Sequence, residues 1–153
     1  MKTIDISYKD YKKRDDIHGT ALYPAVMVGP AQKDILLDLI DKDRHTKIID
    51  PFHGSGTALY EAATISSKVS LIGYDINPFA NLIAKVKLQG IDLSSIKSDI
   101  IHLAEHIKQI DEIEMHIFPN STKWFREDII RDLTKVRLSI MQTENKRNRL
   151  YFW

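Results

Sequence analysis

The chain contains no cysteine, which excludes disulfides, thiolate metal sites and thiol nucleophiles together. No apolar run approaches the ~20 residues of a membrane-spanning helix, and the opening Met1-Lys2-Thr3-Ile4-Asp5 has no secretory-leader pattern. These two absences lead to the expectation of a cytoplasmic protein without membrane contact. An excess of charge is missing too. The 22 basic and 21 acidic residues leave a net charge of +1, so the chain as a whole carries no electrostatic footprint for nucleic acid. Basic residues gather only locally. Lys9, Lys12, Lys13 and Arg14 read as a polar tail, and Lys146, Arg147 and Arg149 as a solvated helix end. Internal repeats and low-complexity tracts are also absent. The remaining balance, 43% hydrophobic and 28% charged residues over 153 positions, is ordinary for a globular protein, and the length suits one compact domain.

The informative stretch is Lys47-Ile48-Ile49-Asp50-Pro51-Phe52-His53-Gly54-Ser55-Gly56-Thr57. It reads as an apolar strand ending in a carboxylate, followed by a glycine turn that opens a helix. Gly54 and Gly56 lack Cβ, so the backbone can take positive φ and let a ligand approach. The free N–H groups of the helix start favour electron-rich ligand atoms, and the carboxyl end of a strand is where open α/β sheets place ligands. A P-loop is excluded because no lysine follows Gly56. A dinucleotide fingerprint fits badly, since Leu59 stands where a third small residue belongs and Asp50 would repel a diphosphate. Asp50 instead suits a ligand bearing positive charge, such as S-adenosylmethionine with its ammonium and sulfonium groups.

Val69-Ser70-Leu71-Ile72-Gly73-Tyr74-Asp75 reads as a second buried strand, and Asp75 follows the glycine loop at the ~20-residue offset of a ribose-hydroxyl acceptor. Asn77-Pro78 supplies an N-cap and a first-turn proline, with Phe79, Leu82, Ile83 and Val86 behind it at helical spacing. Upstream, Gly29-Pro30 launches a helix whose Ile35, Leu36, Leu39 and Ile40 form an apolar face. Downstream, Leu93, Ile96, Ile100, Leu103, Ile107 and Ile110 predict a long helix with one narrow buried stripe. Phe125, Ile129, Leu133, Val136 and Ile140 predict another, with Pro119-Asn120-Ser121-Thr122 between the two as turn and cap.

Asp50 to Thr57 resembles the D-P-F-x-G-S-G-T signature of S-adenosylmethionine-dependent DNA methyltransferases that act on exocyclic amino groups, cytosine N4 or adenine N6. Asp75-Ile76-Asn77-Pro78-Phe79-Ala80 is similar to the family's second motif, whose acidic residue holds the ribose. Tyr23-Pro24-Ala25 resembles the segment that closes over the methionine end of the cofactor. Trp124-Phe125 and the helix after it resemble the spacer before the catalytic motif. The likeness runs from about Ile17 to Trp153. It implies an α/β, Rossmann-like class I methyltransferase fold, incomplete, with a helical insertion in the C-terminal half. The segments are a polar stretch 1–22, a cofactor-binding β-α-β-α core 23–92 and a helical region 93–153. The implied cofactor-binding residues are Tyr23, Pro24, Asp50, Pro51, Phe52, Gly54, Ser55, Gly56, Thr57, Asp75, Ile76 and Asn77.

One departure governs the functional expectation. The family grips the target amino nitrogen with a [DSN]-P-P-[YFW] tetrapeptide, and no Pro-Pro occurs in this chain. Asn77-Pro78-Phe79 imitates it with one proline short, yet reads as a helix cap after the ribose carboxylate. No catalytic residue is therefore assigned. The catalytic motif and most DNA contact are expected beyond residue 153 or on a partner chain, with the aromatic end Leu150-Tyr151-Phe152-Trp153 cut inside a folded element. The lack of cysteine agrees with amino rather than C5 methylation, which requires a thiolate. A non-catalytic nucleoside-binding module, an inactive gene remnant and a nicotinamide-dependent enzyme are the rival readings.

Three further features take plainer readings. His102-Leu103-Ala104-Glu105-His106 matches the H-x-x-E-H zinc-protease word, but its histidines read as a solvated helix face, and no metal site is assigned. His53 reads as pocket lining, in a position that the resembled family leaves variable. Ser55 and Thr57 read as helix-start hydroxyls satisfying backbone donors.

Overall fold

The computed structural model describes residues 7–12, 15–19, 23–24 and 27–153. Met1 to Asp5, Lys13, Arg14 and Ala25, named above, lie outside them. Contacts divide the chain into two compact units, one ending at Gln89 and the other Gly90–Trp153. Among the described residues the architecture is α/β, with seven α-helices and one two-stranded parallel sheet.

In the first unit α1 (Gly29–Leu39) precedes β1 (Thr46–Asp50), α2 (Thr57–Ile65), β2 (Val69–Gly73) and α3 (Pro78–Gln89). Pro30 pre-sets the first turn of α1. Asn77 caps α3 as its sequence foretells, its Oδ1 accepting the Phe79 N–H at 3.0 Å. The helix α2 carries the chain from β1 to β2, and the two strands pair in register from Thr46 opposite Val69 to Asp50 opposite Gly73. The core is Leu59 and Ala62 of α2 with Ala80, Ile83 and Ala84 of α3, plus Ile40 after α1.

Several apolar faces lie elsewhere than the periodicity suggests. On α3 the buried face is Ala80, Ile83, Ala84 and Lys87, while Phe79 is exposed. On α1, Ile35 and Leu39 are exposed and Leu36 is half-buried. The second strand is half-buried along its whole length rather than buried. Parallel sheets bury both faces only when other elements cover them, and two strands give few elements a place to pack.

The segment 1–22 holds a connection that its polar composition hides. In the 3₁₀ turn Ile17–Gly19, His18 is buried. Its Nε2 lies 2.8 Å from Glu61 Oε1 of α2 and its Nδ1 lies 3.4 Å from Lys87 Nζ of α3, with Tyr60 edge-on at 5.4 Å. A Cβ at Gly29 would stand 2.6 Å from the His18 ring. Glycine there is what lets α1 begin against this histidine.

The second unit comprises α4 (Ile96–Gln109), α5 (Ser121–Trp124), α6 (Glu127–Gln142) and α7 (Lys146–Phe152). The predicted stripes are only partly covered. On α4, Ile96 is buried, but Ile100 is 49% exposed, and Leu93 ahead of it is 81% exposed. On α6 the covered face is Ile130, Thr134, Ser139 and Ile140, leaving Ile129 and Leu133 exposed, and Phe125 lies before the helix begins. A polar knot joins the ends of this unit. Asn145 caps α7, accepting from the Arg147 and Asn148 N–H groups. The fully buried Asn148 donates to Ser95 Oγ at 2.9 Å and Asp99 Oδ2 at 2.7 Å, and accepts from the Asp92 N–H at 2.8 Å. Bonds from Ser94 foremost, then Asn145, hold the Asp92 carboxyl below its usual range.

Asn148→Ala strips three bonds from a dry site and should cost about 1–3 kcal/mol for the groups left unsatisfied. Both tryptophans, Trp124 and Trp153, lie in this unit, so urea unfolding followed by their fluorescence reads it directly. An unshifted midpoint would mean that the knot contributes nothing.

Candidate functional site

The site grows out of the strand register. Asp50 ends β1 opposite Gly73, the last residue of β2, so the segments leaving the two strands start side by side. The ladder continues past the strands. Tyr74 N–H donates to the Asp50 carbonyl at 2.9 Å, and His53 N–H donates to the Tyr74 carbonyl at 3.2 Å. One side-chain bond then ties the segments together, from the Gly54 N–H to Asp75 Oδ2 at 2.9 Å. The other carboxylate oxygen, Oδ1, accepts the Asn77 N–H at 2.8 Å. Asp50 folds back in the same way and accepts the Phe52 N–H at 3.1 Å.

The glycine turn has the geometry that its sequence requires. Gly54 and Gly56 have φ of +53° and +74°. At Gly56 a second constraint applies, because a Cβ would stand 2.6 Å from Ala84 Cβ of α3. Gly56 is also the N-cap of α2 and has no side chain to cap with. Ser55 and Thr57 are buried beside it, and the helix starts without a side-chain cap bond, contrary to the capping read into those hydroxyls.

Of the residues picked from sequence, Asp50, Pro51, Phe52, Gly54, Ser55, Gly56, Thr57, Asp75, Ile76 and Asn77 form the two adjoining loops. Tyr23 joins them. Its Cε1 lies 3.5 Å from where a Gly54 Cβ would stand, and its ring centroid is 6.4 Å from that of Phe79. Pro24 follows it in the chain and is exposed. Two large apolar side chains flank the carboxylates in the open, Phe52 at 87% exposure and Ile76 at 101%. Asp75 is half-buried.

His53 and Asn81 change the picture drawn from sequence. His53 is buried. Its Nδ1 lies 2.8 Å from the Gly54 carbonyl and its Nε2 lies 2.9 Å from Asn81 Oδ1. Asn81 in turn donates from Nδ2 to the carbonyls of Asp75 at 2.8 Å and Asn77 at 3.1 Å. Sequence reading passed over Asn81, though its place one helical turn after Asn77 was a usable signal.

The histidines of the H-x-x-E-H word belong to the second unit. His102 is exposed, but His106 is half-buried, its Nδ1 2.9 Å from Ser139 Oγ of α6. It is a packing contact between α4 and α6 rather than part of a solvated face. Among the described residues no group of three His, Asp or Glu is placed to hold a metal ion, and no helix is long and apolar enough to cross a membrane.

The chain is 28% identical over 130 residues to the type II methyltransferase M.MvaI of Kocuria varians, covering 78% of this chain and 28% of that protein. It is 34% identical over 98 residues to the type II methyltransferase M.MjaII of Methanocaldococcus jannaschii, covering 58% of this chain and 18% of that protein. The chain is similar to type II methyltransferases. It spans less than a third of the length of these two relatives. No family model matches the chain, and no solved structure matches it.

The Asp75 carboxyl is held below its usual range, first by the Asn77 N–H and further by the Gly54 N–H and by positive charge on His53, against an upward push from partial burial. A lowered folded-state value means that the stabilisation is fully present above the ordinary Asp value of about 3.9. It is lost as pH falls through the lowered value. Unfolding measured from about pH 6 down to pH 2.5 should therefore show the wild type losing more stability than Asp75→Asn, and parallel curves would contradict the assignment.

Proposed function

We propose that the chain is the cofactor-binding part of a DNA methyltransferase that moves a methyl group from S-adenosylmethionine to an exocyclic amino group of cytosine or adenine, on a Rossmann-like scaffold. The carrying observation is the bond from the Gly54 N–H to the Asp75 carboxylate, which ties two strand-end loops, each bearing an acid, into one surface. The similarity to type II methyltransferases supports the reaction class.

The residues present fit the cofactor. A carboxylate offers about four acceptor positions, and Asp75 has given one on each oxygen to a backbone N–H. Room remains for two ribose hydroxyls. Asp50 keeps acceptor capacity for an ammonium group after binding the Phe52 N–H. Tyr23 and Pro24 close the methionine side, Pro51, Ser55, Gly56 and Thr57 shape the turn, and Asn77 fixes Asp75. Ile76 and Phe52 offer exposed apolar faces of the kind an adenine would cover. The cofactor, when bound, supplies the electrophilic methyl on its sulfonium.

This chain contains no Pro-Pro, so the tetrapeptide that grips the target nitrogen is supplied by another portion of the protein or by a partner chain, and that portion makes the main contacts with DNA. The same absence keeps a second reading open: a module that captures S-adenosylmethionine or a related nucleoside without catalysis.

Calorimetry with S-adenosylmethionine and its demethylated product tests the reading. Saturable binding is expected, with no methyl transfer to DNA by the chain alone. Asp75→Ala should weaken binding about a hundredfold through two lost charge-assisted bonds, with the circular dichroism unchanged. Undiminished affinity in that variant would refute the ribose assignment. Tight binding of NADH instead would move the chain to nicotinamide chemistry.

A further inference from the structure

We propose that His53 is a positioning residue that locks the glycine turn to the Asp75 loop and so sets the nucleoside half of the binding surface. The inference rests on the cofactor reading for its ligand, but the lock itself is a property of the chain. The His53 side chain is buried and is engaged with protein partners at both ring nitrogens. Its two nitrogens reach different segments, the glycine turn and the first turns of α3. Nδ1 meets the carbonyl of Gly54, whose own N–H is spent on Asp75. Nε2 meets Asn81, whose amide holds the carbonyls of both Asp75 and Asn77. Both partners are oxygens that accept, so the ring with a proton on each nitrogen fixes both ends of the bond that joins the loops.

The space around the ring is cut to fit it. A Cβ at Gly73 would stand 2.7 Å from His53 Cδ2 and 2.6 Å from Leu59 Cδ1, so glycine at the end of β2 leaves the space that the ring occupies. The strand Val69–Gly73 therefore ends on a glycine for a packing reason rather than a turn, its conformation being extended. A ring clamped this way holds Gly54 and Asp75 in place before a ligand arrives, and such prior ordering raises affinity by removing an ordering cost from binding. Asp50, whose carboxylate among the described residues bonds the local Phe52 N–H, stands outside the lock. Loss of His53 should therefore penalise adenosine more than methionine.

Two single variants, their combination and one conservative replacement test this, read with and without ligand. His53→Ala removes the ring, and Asn81→Ala, at an exposed position, removes its partner while leaving the ring's packing intact. In nitrogen-15 relaxation without ligand, both variants should lower the backbone order parameters of Gly54 and Asn77 from about 0.85 towards about 0.6, with β1 and β2 unchanged. In calorimetry each should weaken S-adenosylmethionine and adenosine about tenfold. The double variant should be no weaker than either single one, because both cut the same connection. His53→Gln, which can still donate to Asn81 Oδ1, should recover part of the loss. Unchanged order parameters at Gly54 and Asn77 in both single variants, or additive losses in the double, would overturn the proposal. If the wild type binds no S-adenosylmethionine, the functional reading fails, and the relaxation data alone then decide the role of His53.

Discussion

The arrangement depends on one register. Asp50 pairs with Gly73 at the ends of two parallel strands, and that pairing starts two loops from neighbouring points on one sheet edge. Parallel strands joined by a helix must run the same way, so both carboxyl ends, and both acids, fall on one side. Everything local then follows from short-range bonds. The Tyr74 and His53 N–H groups extend the ladder by two more links, and the Gly54 N–H closes onto Asp75. A slip of one residue would aim Asp50 at the other face of the sheet and leave the Gly54 N–H without its carboxylate.

The parts legible in the sequence were those set by backbone demands. Positive φ at Gly54 and Gly56, the Asn77 cap, the proline start of α1 and the two strands are requirements of single residues, visible without knowing what packs against them. The acids after β1 and β2 were legible for the same reason. What failed was the choice of covered faces. The periodicity of Ile100 and Leu93, or of Ile129 and Leu133, records which residues are apolar, whereas burial depends on which neighbours are present. On α3, Ala84 is small where Gly56 comes within contact of it, and the face that carries it also buries Ala80 and Ile83 while Phe79 is left exposed.

Buried polar connections were the least legible. His18, His53 and Asn148 sit in polar stretches and look like surface residues in one dimension, yet each is enclosed and bonded to elements distant in sequence. Their partners, Glu61, Asn81 and Asp99, are no more conspicuous. Such groups are tolerated in the interior only when their bonds are complete, so they specify how the segments meet. The second unit, meanwhile, leaves Ile117, Trp124, Ile129 and Leu133 exposed.

The most direct test of the central claim is a nitrogen-15 NMR titration of the full chain with S-adenosylmethionine. The account predicts saturable shifts concentrated at Gly54, Ser55, Gly56, Ile76 and Asn77, with the helical unit from Gly90 onward unmoved. Saturating ligand that leaves those five signals in place, or that shifts only residues elsewhere, would contradict it.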